Sequence, residues 1–88
     1  HRVKTKDIMY IEADQVYLHV VLIHKKTIII RQSLKTMLSE LTDDNLIQCH
    51  RSYIVNKNHI KSWNTSQITL TDNTEIPVSR NYNLIINK

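Results

Sequence analysis

Thirteen isoleucines and not one glycine in 88 residues set the terms for this chain. β-Branched side chains favour strands, where they pack well on a pleated surface. Strands have to be joined by tight turns, and tight turns usually draw on glycine for backbone of positive φ. This chain must find that conformation elsewhere. Asparagine tolerates it better than most residues, so Asn64 and Asn73, each set between two apolar runs, are the expected substitutes.

The apolar pattern is correspondingly short and mostly of period two. Ile8 to Glu12, Tyr17 to His24 and Thr27 to Arg31 read as strands, the last two joined across His24-Lys25-Lys26. The period then lengthens. Leu34, Met37, Leu38 and Leu41 fall at helical spacing, Ser33 stands where an N-cap belongs, and Thr42-Asp43-Asp44-Asn45 ends the run. One short amphipathic helix is therefore expected to pack on a sheet. Leu46 to Cys49, Tyr53 to Val55, His59 to Trp63, Gln67 to Thr71 and Ile76 to Val78 return to strands. Pro77 cannot donate to a ladder, which makes the last of these an edge or a bulge. Ser79 is placed to cap a final helical turn through Tyr82 and Ile86. The fold class expected is all-β, mainly antiparallel, with one helix and that C-terminal turn.

A chain of this length permits one domain, 1–88, with a modest core. The single cysteine, Cys49, forms no internal disulfide, which fits a cytoplasmic protein held together by packing. The longest apolar runs, Val20 to Ile23 and Ile28 to Ile30, are too short to cross a bilayer as helices. The first residues, His1-Arg2-Val3-Lys4, read as the start of a fragment cut from a longer protein, with a further domain outside it.

Net charge is +4 and the pI about 9.4, a bias that permits an anionic partner. Residues 1–44 hold 7 Lys and Arg against 6 Asp and Glu, whereas residues 45–88 hold 5 against 2. The second half thus carries most of the excess. Between Asp44 and Asp72 there is no acidic residue, and within that stretch lies Cys49-His50-Arg51-Ser52-Tyr53-Ile54-Val55-Asn56, followed later by Ile76-Pro77-Val78-Ser79-Arg80. Both blocks set an arginine beside small hydroxyl groups. A guanidinium donates in a fixed fork, and short polar side chains add hydrogen bonds, a combination suited to phosphates and base edges.

These blocks, with Tyr10-Ile11-Glu12-Ala13, Arg31-Gln32-Ser33-Leu34-Lys35, Ile47 through Asn56, Ile60 and Tyr82, resemble in order and spacing the LytTR-type DNA-binding domain, the effector half of many bacterial response regulators. The resemblance spans nearly the whole chain, and His50-Arg51-Ser52 is its most specific part. It implies small stacked antiparallel sheets whose loops enter successive major grooves on one side of duplex DNA, at repeated half-sites, with copies brought together by a regulatory domain outside this chain. It also implies base contacts from Arg51 and Arg80, and a second base-reading loop across Gln15-Val16-Tyr17-Leu18-His19. Gln15 and Asn73 stand where members of that family often carry glycine.

Alternation buries every second residue after that loop, which selects Gln15 and His19 as its outward side chains. Ser33 offers phosphate binding at the helix N-terminus as well as a cap. Ser52 and Ser79 either cap turns or join phosphate contacts beside the arginines. Lys57, Lys61 and Gln67 either hold the DNA backbone or belong to an ordinary solvated face. Cys49 and His50 are strand neighbours that point to opposite faces and so share no metal easily. His50 is expected to fix the Arg51 loop, and Cys49 to fill core. No histidine cluster has ligand spacing, Ser52 lacks a nucleophile elbow, and no cofactor motif is present, so neither an enzyme nor a metal protein is indicated. Two other readings are a protein-interaction module and a single-stranded RNA binder. The latter usually needs several exposed aromatics, while the four Tyr and one Trp here fall mostly at positions that read as core.

Overall fold

The structure is a computed structural model that describes residues 3–82. Eight strands, β1 (Ile8–Asp14), β2 (Tyr17–Leu22), β3 (Thr27–Arg31), β4 (Leu46–His50), β5 (Tyr53–Asn56), β6 (Ile60–Trp63), β7 (Gln67–Leu70) and β8 (Glu75–Pro77), accompany one helix, α1 (Leu34–Glu40). They form a five-stranded sheet in the order β3-β2-β1-β5-β4 and a three-stranded sheet in the order β6-β7-β8. Every pairing is antiparallel. The fold is thus the mainly antiparallel, one-helix architecture that the isoleucine pattern indicates.

The five-stranded sheet is buried on both faces over part of its width. One face presents Ile8, Ile11, Leu18, Val20, Leu22 and Ile54, against which the α1 side chains Leu34, Met37 and Leu38 pack, with Leu41 just beyond the helix. The opposite face presents Met9, Cys49 and Val55 to Ile60, Ile68, Leu70 and Ile76 of the smaller sheet. Stacking the two sheets encloses this second core.

Ser33 caps α1 as its position suggests: its Oγ accepts the Thr36 N–H at 3.1 Å and donates to the Thr36 hydroxyl at 2.8 Å. Pro77 lies in β8, an outer strand of the smaller sheet. Cys49 is fully buried, and burial pushes its thiol up to about 11. Asn56, the buried polar residue among those described, donates from Nδ2 to the Ile8 carbonyl at 2.9 Å and accepts the Asn58 N–H at 2.9 Å.

The turns depart from expectation. Positive φ occurs at Asn73 (71°) but also at Gln15 (58°) and Lys25 (62°), and not at Asn64. Asn64 turns the chain through its side chain instead, Oδ1 accepting both the N–H and the hydroxyl of Ser66. An Asx-type bond of this kind does the work of a backbone turn without a left-handed residue. After β8 the Tyr82 N–H donates to the Ser79 carbonyl, closing one turn there. The rest of the expected C-terminal turn, with Ile86, lies outside the described residues.

Candidate nucleic-acid interface

Antiparallel order sends successive strands to alternate ends of the molecule. Glu12 of β1 pairs with Tyr53 of β5, Tyr17 of β2 with Arg31 of β3, and His50 of β4 with Tyr53. The β1–β2 turn, the β3–α1 junction and the β4–β5 hairpin therefore share one end. Backbone bonds tie them together: Ala13 N–H donates to the Ser52 carbonyl at 2.8 Å, and Gln32 N–H to the Val16 carbonyl at 3.2 Å. The smaller sheet adds its own loops, with Val78 N–H donating to the Ser66 carbonyl at 3.0 Å and Ser79 N–H to the Cys49 carbonyl at 3.0 Å. Gln15, Ser33, Arg51, Ser52, Gln67, Ser79 and Arg80 are thereby brought to a single pole.

Arg51 and Arg80 are exposed, and among the described residues no ion pair or hydrogen bond engages either guanidinium. Nothing within the chain competes for them. Arg51 sits at the tip of the β4–β5 hairpin, braced by the Ser52 N–H, which donates to His50 Nδ1 at 3.1 Å. The His50 ring in turn meets Tyr53 edge to face at 5.6 Å, and the Tyr53 hydroxyl donates to Glu12 at 3.1 Å. Burial, followed by the bond to Glu12, raises the Tyr53 phenol above its usual range. The expected part of His50 in fixing the Arg51 loop thus has a physical form. Arg80 borders an open groove of about 470 Å³ with Trp63, Asn64, Thr65, Val78, Ser79 and Tyr82.

Another open depression is lined by Gln15, Val16, Arg31, Gln32 and Ser33. Arg31 is a guanidinium at this pole that sequence reasoning passed over as a strand end. Its signal was available, because counting strands in alternation puts the end of β3 beside the start of α1.

The same count separates other expected residues from the pole. Lys57 follows β5, its N–H donating to the Asn45 carbonyl at 2.8 Å, and so lies at the opposite end from Arg51. Lys61 follows Ile60 near that same end, its Nζ donating to Asn73 at 3.1 Å. A shared phosphate-binding face with Arg51 does not fit either lysine. His19 lies inside β2 opposite Glu12 and Ile29, its Nε2 3.4 Å from the Asp14 carboxylate, so only Gln15 of that pair occupies the turn.

Ser33 spends its hydroxyl on Thr36, and Ser79 Oγ accepts the Asn81 N–H at 3.4 Å, so both cap turns at the rim. Of the aromatics, Tyr17, which opens β2, and Trp63, which ends β6, are exposed. Among the described residues no group of three or more His, Cys, Asp or Glu is placed to hold a metal, and no helix is long and apolar enough to cross a membrane.

Comparison with known proteins bears on what such a pole is for. The family model of the LytTr DNA-binding domain matches residues 1–86. The chain belongs to the LytTR family. It is 34% identical over 86 residues to the sensory transduction protein LytT of Bacillus subtilis, covering 91% of this chain and 35% of that protein. To an uncharacterized response regulatory protein of Vibrio cholerae it is 29% identical over 87 residues, covering 91% and 33%. The LytTR chain thus spans about a third of the length of these curated relatives. Among solved structures, the LytTr DNA-binding domain of a putative methyl-accepting/DNA response regulator from Bacillus cereus superposes with a TM-score of 0.80 at 32% identity, covering 91% of this chain and 77% of that one. LytTR membership supports DNA binding in transcription regulation and agrees with the antiparallel fold.

Proposed function

We propose that this LytTR domain binds duplex DNA with sequence preference, as the output domain of a bacterial response regulator in the cytoplasm, and performs no catalysis. Arg51 and Arg80 donate to base edges in the major groove, a role suited to a bidentate guanidinium facing guanine. Gln15 reads from the third loop. Ser52, Gln67 and Ser79 hydrogen-bond the flanking phosphates, and Ser33 contributes through the backbone N–H groups of the helix start that it caps, with Arg31 adding charge at the rim. The observation that carries this reading is the convergence of Arg51 and Arg80, exposed and without an acidic partner, on one pole of a LytTR fold.

Three short reading loops from a domain of this size contact few base pairs, so repeated half-sites bound by tethered copies are part of the proposal. A regulatory domain outside this chain supplies the tether, which raises the effective concentration of the second copy. Single-stranded RNA is the weaker alternative. Tyr17 and Trp63 are exposed on separate sheets, while single-strand binders line up successive aromatics as a stacking platform.

The test is competition at graded salt. Duplex DNA carrying a selected site should outcompete both scrambled duplex and the single strands, with log K falling linearly in log salt. Preference for single strands, or binding without sequence preference, would overturn the proposal.

A further inference from the structure

The exposed apolar surface of this domain is concentrated in one place. Among the described residues, four of the five large apolar side chains left exposed, Val16, Tyr17, Ile23 and Ile29, belong to β2, β3 or the turns beside them. Ile29 is 59% exposed and Tyr17 45%. Both stand on the side of the sheet away from α1. The smaller sheet covers that side at β1, β4 and β5, and its core includes nothing from β2 or β3.

β3 is also an outer strand. Leu22 N–H donates to the Lys26 carbonyl and Gln32 N–H to the Val16 carbonyl. In an antiparallel ladder the bonded pairs alternate, so Ile28 and Ile30 turn their backbone groups toward β2, while Thr27, Ile29 and Arg31 turn theirs outward. Among the described residues no backbone bond engages those outward groups. The same three residues carry their side chains on the uncovered face. An open ladder and an apolar side chain therefore coincide at Ile29, the combination that accepts an added strand.

Charge narrows the occupant. Lys25 and Lys26 precede β3 and Arg31 ends it, with no carboxylate from Lys25 through Gln32. A second copy added antiparallel about Ile29 would set Arg31 of each chain opposite Thr27 of the other and on the diagonal from its Lys25, bringing the cationic ends of the two strands together with no carboxylate between them. A strand with acidic ends meets both flanks favourably. We propose that β3 is a docking edge for an extended segment of a partner protein, one that places an apolar residue opposite Ile29 and acidic residues opposite Lys25, Lys26 and Arg31.

The probe is an eight-residue peptide, four alternating valines and threonines flanked by two acidic residues at each end so that these face Lys25, Lys26, Arg31 and Gln32, beside a control with lysine ends, titrated into the 88-residue chain. The readout is the chemical shift and hydrogen exchange of backbone amides. The acidic peptide should slow exchange at Thr27, Ile29 and Arg31, and the lysine-ended control should bind about tenfold more weakly or worse. Ile29→Pro removes one outward N–H and the apolar contact while leaving the β2 bonds in place, as edge strands allow. It should weaken the acidic peptide about tenfold. Ile29→Thr, which keeps strand propensity, should weaken it less, and both variants should retain the dispersed spectrum and the DNA affinity of the parent. Equal binding of the two peptides, or unchanged binding by Ile29→Pro, would overturn the proposal. So would concentration-dependent protection of the same amides without peptide, which would assign the edge to a second copy.

Discussion

His50 Nδ1 accepts the backbone N–H of Ser52 at 3.1 Å, bridging the two residues that flank Arg51. Because the amide can only donate, this ring nitrogen carries no proton in the bonded form. The bond closes the hairpin tip and holds the base of the Arg51 side chain. His50→Ala should leave the fold intact and lower DNA affinity by about 0.5 to 1.5 kcal/mol, the worth of one such bond. His50→Asn should recover most of that loss, since an asparagine oxygen bonds the amide two residues on. Calorimetric melting beside DNA titration measures both effects, and an alanine variant with unaltered affinity would show that the brace is dispensable.

Asn56, which sequence reading left just past the strand Tyr53 to Val55, is the buried polar side chain among the described residues. Its amide group donates to the Ile8 carbonyl and its oxygen accepts the Asn58 N–H, which locks β1 to the end of β5. Asn56→Ala strands both partners, at about 1 to 3 kcal/mol in buried surroundings. Asn56→Asp should cost more, because it aims a carboxylate at a carbonyl oxygen. Urea unfolding should rank them parent, Ala, Asp. The reverse order would contradict this packing.

Cys49 supplies a pH dependence. Its thiol is held up to about 11 by burial, against an ordinary value of 9.0. A group whose folded pKa lies above its unfolded one contributes stability that is fully present below the unfolded value and is lost as pH rises through the folded value. Stability should therefore be level near neutrality and decline between about pH 9 and 11. Tyr10 and Tyr53, raised chiefly by burial, add to the decline at the upper end. Cys49→Ala should remove the earlier part and leave the tyrosine part. In the parent at pH 8, thiol alkylation should be slow and should accelerate with denaturant. Fast alkylation of the folded chain would contradict the burial.

Much of this was readable in the sequence. The bounds of β3, the α1 stripe and the Ser33 cap follow from periodicity and one hydroxyl, which are local signals. The turns were less legible. Asn64 has the composition of a left-handed residue, yet its side chain forms the turn, while Gln15 and Lys25 adopt positive φ because the hairpins they close require it. Such tertiary demand overrides a cost of about 1 to 2 kcal/mol per residue. The site divided along a different line. Arg51 and Arg80 are 29 positions apart and converge, whereas Lys57 is six from Arg51 and lies at the other end, because one strand reverses the pole. Composition cannot reveal that, but strand parity can. His19 keeps the strand position and outward parity that alternation gives it, but lies two residues into β2 with its ring beside Asp14, a pairing that the strand pattern alone does not reveal.

The central claim is that the pole bearing Arg51 and Arg80 reads bases while the opposite end does not. Sites selected from a random duplex pool, then titrated with Arg51→Ala, Arg80→Ala, Lys57→Ala and Lys61→Ala, test it most directly. Each arginine variant should lose about 1 to 3 kcal/mol on the selected site and discriminate less at the base pairs it faced. The lysine variants should keep both affinity and preference to within the small effect of a distant charge. Arginine variants with full affinity and unchanged preference, or lysine variants that lose preference, would contradict the account.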